Sequence, residues 1–107
     1  MEKSLKVIDP PEDDVASCAS RLKVLAYETR LAVLELLMDG PQHVGELNET
    51  LELEQSLLSH HLKVLRDAGL VESKRDGKQV LYRLTNPVQG NRKGRAIDLG
   101  CCHISFD

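Results

Sequence analysis

Tryptophan is absent from this 107-residue chain, and aromatic side chains number only three, two Tyr and one Phe. Its core must therefore be aliphatic, mostly Leu and Val. No apolar run approaches the roughly 18 residues of a membrane span, and no leader-type pattern opens the chain. A cytoplasmic protein without a membrane partner is expected. Cysteine is scarce: three residues, an odd number outside any secretory context, argue against a disulfide framework. The thiols are left for packing, metal binding or redox chemistry. An excess of positive charge is also missing, since the formal net charge is −3.

That deficit disappears when the charge is divided along the chain. Residues 1–54 hold five Lys/Arg against twelve Asp/Glu, whereas residues 55–95 hold nine against three. A local basic face can bind phosphates although the whole molecule is acidic. The length suits one domain around one core, and the apolar fraction of 41% is sufficient for it.

Residues 1–14 read as a polar N-terminal arm. Pro10-Pro11 blocks a helix before it, and Glu12, Asp13 and Asp14 suit the first turn of a helix after it. A first helix is expected over Val15–Leu25, with Val15, Cys18, Leu22 and Leu25 on one stripe. After a break at Ala26-Tyr27, a second helix is expected over Glu28–Asp39, its core face formed by Leu31, Leu34, Leu37 and Met38. Gly40-Pro41 stops it. Gln42 to Val44 reads as a short extended piece, with His43 as a lone solvated histidine. A third helix follows over Val44–Leu51, and Glu52 to Glu54 form a turn.

Gln55 to Gly69, QSLLSHHLKVLRDAG, organises the chain. Leu58, Leu62 and Leu65 recur at helical spacing and mark a core face. The opposite face carries Gln55, Ser56, Ser59, His60, Lys63 and Arg66. Short polar groups suit base edges, and the later cations suit phosphates. Two short helices joined by a tight turn, the second with a polar outer face, form a helix-turn-helix pattern. Beyond Gly69, two β-rich runs flank Asp76-Gly77, a two-residue hairpin signal for a type I′ turn. Val80, Tyr82 and Leu84 alternate onto one face. Lys74, Arg75 and Lys78 cluster at the tip, which reads as a DNA-contacting wing.

LAYETRL at 25–31, Glu46-Leu47, SHHL at 59–62, Leu65, Ala68-Gly69-Leu70-Val71, Gly77 and Tyr82-Arg83-Leu84 resemble the ArsR/SmtB family of bacterial winged-helix repressors over about residues 15–86. The resemblance implies a mainly α fold with a β-hairpin wing (α+β), a homodimer, and binding to a palindromic double-stranded DNA operator that an inducer relieves. It places Gln55, Ser56, Ser59 and His60 at groove-facing positions. His61, nearer the apolar side, is given a structural role.

Two departures bear on the inducer. Residues 46–50 lack the Cys-x-Cys metal site of many relatives. The glycines at 90, 94 and 100 make a long C-terminal helix unfavourable, so residues 87–107 form an unusual tail, with GNRKGR as a basic loop and 96–106 extended. That tail carries Cys101-Cys102-His103. Adjacent thiolates plus Cys18, brought close if the family's first and last segments meet, would suit As(III) or Sb(III). A repressor induced by such an ion is expected. A thiol redox or persulfide switch, zinc with His103 as a ligand, and incidental cysteines remain the alternatives. No HExxH, Gly-rich phosphate loop or general-base arrangement is present, so an enzyme is not expected. A winged helix that docks only proteins is disfavoured by the basic wing.

Overall fold

The computed structural model describes residues 12–89 and 95–106. Helix α1 spans Glu12–Val24, starting at the acidic run rather than at Val15. Its expected stripe is split: Leu25 is buried, Cys18 half-buried, and Leu22 43% exposed. Helix α2 spans Glu28–Leu37 and buries Arg30, Val33, Leu34 and Leu37. Leu31 and Met38, expected in the core, are only half-buried. The face is turned because Arg30 finds two acceptors inside: its Nε donates to His61 Nδ1 at 3.0 Å and its Nη1 to Val24 O at 3.1 Å. A buried polar group is tolerated when such bonds are made.

Strand β1 is Gln42–His43, and helix α3 follows at once over Val44–Leu51. The turn after α3 contains no glycine, and Glu52 itself takes the left-handed conformation (φ 53°). Its N–H bonds Asn48 O, and Asn48 Nδ2 reaches on to Leu53 O at 2.5 Å. Helix α4 then runs Gln55–Asp67 and buries Leu58, His61, Leu62 and Leu65. Gly69, at φ 79°, ends it. Leu70 N–H bonds Leu65 O and Gly69 N–H bonds Arg66 O, the paired closure of a Schellman motif.

Strands β2 (Val71–Asp76) and β3 (Gln79–Leu84) form the hairpin, and β1 adds to β3 to give the sheet order β1-β3-β2. Asp76 pairs with Gln79, so the loop residues are Gly77-Lys78, one position later than expected. Of these two only Gly77 has positive φ, 66°, as in a type II′ rather than a type I′ turn. Asp76 stays in the strand because its Oδ2 meets His43 Nε2 at 2.7 Å.

The tail contains a single helical turn, α5 (Asn86–Gln89), and a two-stranded hairpin of β4 (Ala96–Asp98) and β5 (His103–Ser105). The extended reading of 96–106 holds there. Of the expected basic loop, 90–94 lie outside the described residues. Arg95 ties the tail to α2, with Nη1 on Asp39 Oδ1 at 2.9 Å and Nη2 on Glu35 O at 3.4 Å. Ile97 and Leu99 are fully buried and join the same cluster as Leu34, Leu58, Leu65 and Leu70.

His43 is not the lone solvated residue expected. Its backbone N–H donates to Glu46 Oε1 at 2.7 Å and its Nδ1 lies 3.0 Å from the same oxygen. The ring thus bridges the start of α3 to the hairpin. Asp76, then Glu46, hold its pKa above the ordinary 6.5. Because the folded value exceeds the unfolded one, the bridge contributes fully below about pH 6.5 and fades as pH rises through the folded value. Proton NMR titration should place His43 above 6.5, and Asp76→Asn should lower it. An unchanged midpoint in that variant would show that the carboxylate does not hold the ring. Leu58→Ala removes a fully buried side chain and should cost about 2–5 kcal/mol in chemical denaturation. Leu57→Ala, at a residue 44% exposed, should cost only a fraction of that.

Candidate nucleic-acid interface and thiol cluster

Burial of the Leu58, Leu62 and Leu65 side of α4 decides what its other side presents. Gln55, Ser56, Ser59, His60, Lys63 and Arg66 are all exposed, as are Lys74, Arg75 and Lys78 on the hairpin. A groove between α3, α4 and β3 is lined by Asn48, Gln55, Ser59, Lys78, Gln79 and Tyr82. It brings Gln55 and Ser59 of the helix together with Lys78 of the hairpin. The remaining six lie outside its lining. Ser56 Oγ donates to Glu54 Oε1 at 2.8 Å. Lys63 Nζ donates to Asp67 Oδ2 at 2.9 Å, which holds the Asp67 carboxyl below its usual range. Glu46 is lowered as well, first by the His43 backbone N–H. Gln79 and Asn48 share the groove and were not singled out in the sequence, since polar residues in a strand and a short helix carry no distinctive spacing.

His61 is buried, as its place near the apolar side suggests. Since Arg30 Nε–H donates to Nδ1, the imidazole is neutral and carries its proton on Nε2. Burial, then the Arg30 and His60 charges, push its pKa down.

Away from this groove's lining, Cys18 of α1 is joined to Cys101 by a disulfide with a Cα separation of 5.9 Å. Cys102 is a free, half-buried thiol, its Sγ 3.9 Å from that of Cys101. All three sulfurs lie within 4.8 Å of one another. The expectation that these thiols are not linked is corrected here for Cys18 and Cys101. The sequence separation of 83 hides the pair from any local pattern. Among the described residues, His103 does not join the group; it is exposed on β5.

The turn that presents the two tail cysteines also has hydrogen bonds that involve no sulfur. Leu99 N–H bonds Cys102 O at 2.8 Å, and Asp98 Oδ1 accepts from Gly100 N–H at 2.8 Å. Arg21 Nη1, one helical turn beyond Cys18, donates to Leu99 O. Gly100 sits at φ 90°, and a Cβ there would meet Arg21 Nη1 at 3.4 Å, so a side chain is disfavoured on both counts.

None of the described helices is long and apolar enough to cross a membrane. Residues 27–73 match the profile described as bacterial regulatory protein, arsR family. The chain is 40% identical over 88 residues to the biofilm growth-associated repressor of Agrobacterium fabrum, covering 78% of this chain and 75% of that protein. It is 45% identical over 69 residues to the HTH-type transcriptional regulator NmtR of Mycobacterium tuberculosis, covering 64% of this chain and 58% of that one. The structure of reduced HlyU from Vibrio cholerae N16961 superimposes with a TM-score of 0.68 at 42% identity, over 73% of this chain and 83% of that one. These relatives are regulators, not enzymes. The fold, the matched segment and these identities show that the chain belongs to the arsR family of bacterial regulatory proteins, as a winged helix-turn-helix transcriptional regulator.

Proposed function

We propose that the protein is a cytoplasmic, homodimeric transcriptional repressor that binds a palindromic double-stranded DNA operator and releases it when As(III) or Sb(III) binds Cys18, Cys101 and Cys102. On this reading residues 15–86 form the DNA-binding domain and 87–107 the sensor tail. Helix α4 enters the major groove: Gln55, Ser56, Ser59 and His60 meet base edges, and Lys63 and Arg66 meet phosphates. Lys74, Arg75 and Lys78 of the hairpin contact the backbone or minor groove. The two copies of α4 sit about one helical turn, or 34 Å, apart on the operator.

The observation that carries the inducer assignment is the convergence of three sulfurs within 4.8 Å. Three soft donors with no carboxylate among them suit a thiophilic trivalent ion better than a hard one. Binding exchanges the three hydroxyls of arsenous acid for three thiolate sulfurs and releases three waters, and it requires the cysteines reduced. A second reading is favoured by the Cys18–Cys101 disulfide: a peroxide or persulfide oxidant removes two electrons and two protons from these thiols, and the resulting cross-link of α1 to the tail is the signal. Zinc, with His103 as a fourth ligand, has less support because His103 stands outside the cluster.

Fluorescence anisotropy of the reduced protein on its own upstream DNA separates these. Arsenite should weaken binding by about 5–150-fold, the usual range of allosteric coupling. Cys101→Ser/Cys102→Ser should bind DNA normally and lose the response. Release by peroxide or a persulfide donor alone would move the assignment to the disulfide, and release by zinc alone to His103. Log affinity should fall steeply and linearly with log salt; a flat dependence would remove the DNA-binding assignment for the basic face.

A further inference from the structure

We propose that Arg30 is a positioning residue that carries the state of α1 into the recognition helix α4 through His61. The inference rests on the reading of Cys18 and the tail as the sensor, and it concerns how that signal crosses the domain.

Arg30 is buried to 7% exposure, yet among the described residues no carboxylate pairs with it within salt-bridge distance. Its charge is held by neutral groups alone: the carbonyl of Val24, the Nδ1 of His61, and the ring of Tyr27 with its centroid 4.0 Å away. A buried cation is costly when its partners leave. The guanidinium is therefore sensitive to both acceptors, and they belong to different elements. Val24 is the last residue of α1, and His61 lies inside α4. Among the described residues this is the one side-chain hydrogen-bond route from α1 to α4.

Each end of the route meets a functional group. Cys18 and Arg21 lie on α1 upstream of Val24, Cys18 about 9 Å along the axis at 1.5 Å per residue. In the described state Cys18 is bonded to Cys101 while the Val24 carbonyl accepts from Arg30. Exchanging that bond for free thiols, or for three bonds to one ion, changes the pull on the helix that ends in the Val24 carbonyl. On the far side, the His61 ring lies 5.9 Å from Tyr27 and 5.8 Å from the ring of His60, and His60 stands on the exposed face of α4. A guanidinium that loses the Val24 carbonyl must reorient, and its bond to His61 Nδ1 turns with it. The His61 ring and the outward face next to it follow. This route absorbs Tyr27, Arg30 and His61, three residues of the sequence motifs for which neither the groove-facing set nor the thiol cluster has a use.

The test uses the full-length protein and whichever of arsenite or peroxide releases the wild type from its operator. Arg30→Gln and His61→Leu should still bind the operator and still consume the thiols with wild-type stoichiometry. Their ratio of operator affinity without and with the inducer should fall to within about twofold of one, from the wild-type value of about 5–150. His61→Asn, whose Oδ1 can replace Nδ1 as the acceptor, should restore most of the ratio, which a purely structural role would not predict. Nitrogen NMR of wild-type His61 should show the neutral Nε2–H form without inducer and a moved Nδ1 resonance with it. Should Arg30→Gln fail to fold, the His61 variants and the NMR signal decide. Wild-type ratios in Arg30→Gln and His61→Leu, or an unmoved Nδ1 resonance, overturn the route while leaving the sensor intact. A wild type that no inducer releases overturns the sensor reading, and the route with it.

Discussion

The structure depends on one constraint: a single helix, α4, must bury one side completely and leave the other uncovered. Leu58, Leu62 and Leu65 are at or near zero exposure, each worth about 1.5–3 kcal/mol of transfer free energy. Rotating α4 by one residue would place Ser59 or Lys63 against Leu34 and Leu47, at a cost the rest of the fold cannot offset. The hydrophobic stripe therefore fixes the outward direction of Gln55, Ser59 and His60 without a side-chain hydrogen bond to any of them among the described residues. The helices and sheet around α4 serve that fixed orientation: α2 and α3 pack its buried side, and the Schellman closure at Gly69 launches β2 in the direction that brings the hairpin beside the same exposed face.

The hairpin's position relative to the helix is set by polar contacts. His43 caps α3, pairs with Leu81 in the sheet and meets Asp76 near the loop. One side chain thus spans the elements that line the groove. Its pairing with Asp76 also offsets a carboxylate charge beside Arg75 and Lys78, so the tip is more positive when His43 is protonated. Elsewhere the acidic residues Glu35 and Asp39 are engaged by Arg95.

Much of this was legible from local patterns. The bounds of α3, the start of α4, the glycine that ends it and the alternation of Val80, Tyr82 and Leu84 follow from periodicity and turn chemistry acting over a few residues. The misreadings share a cause, a partner far along the chain. Arg30 turns the face of α2 because His61 lies 31 residues away. The loop moves from Asp76-Gly77 to Gly77-Lys78 because Asp76 is held 33 residues from His43. Leu22, which fits the apolar stripe of α1, is exposed because nothing within the described residues covers it. At the thiol cluster the residue types were legible, while the link between Cys18 and Cys101 was not, since no local spacing encodes a contact across 83 residues.

How the cluster is held bears on what it does. A disulfide closing so long a loop stabilises mainly by restricting the unfolded chain, and that reading would make these cysteines a staple. The tail also has contacts of its own. Ile97 and Leu99 are fully buried in the main core, Arg21 grips the Leu99 carbonyl, and Asp98 and Cys102 close the turn through backbone bonds. These contacts dock the loop on α1 through atoms other than sulfur. Such contacts meet part of the ordering cost of bringing the three cysteines together, which the proposed ligand or oxidant would otherwise have to supply.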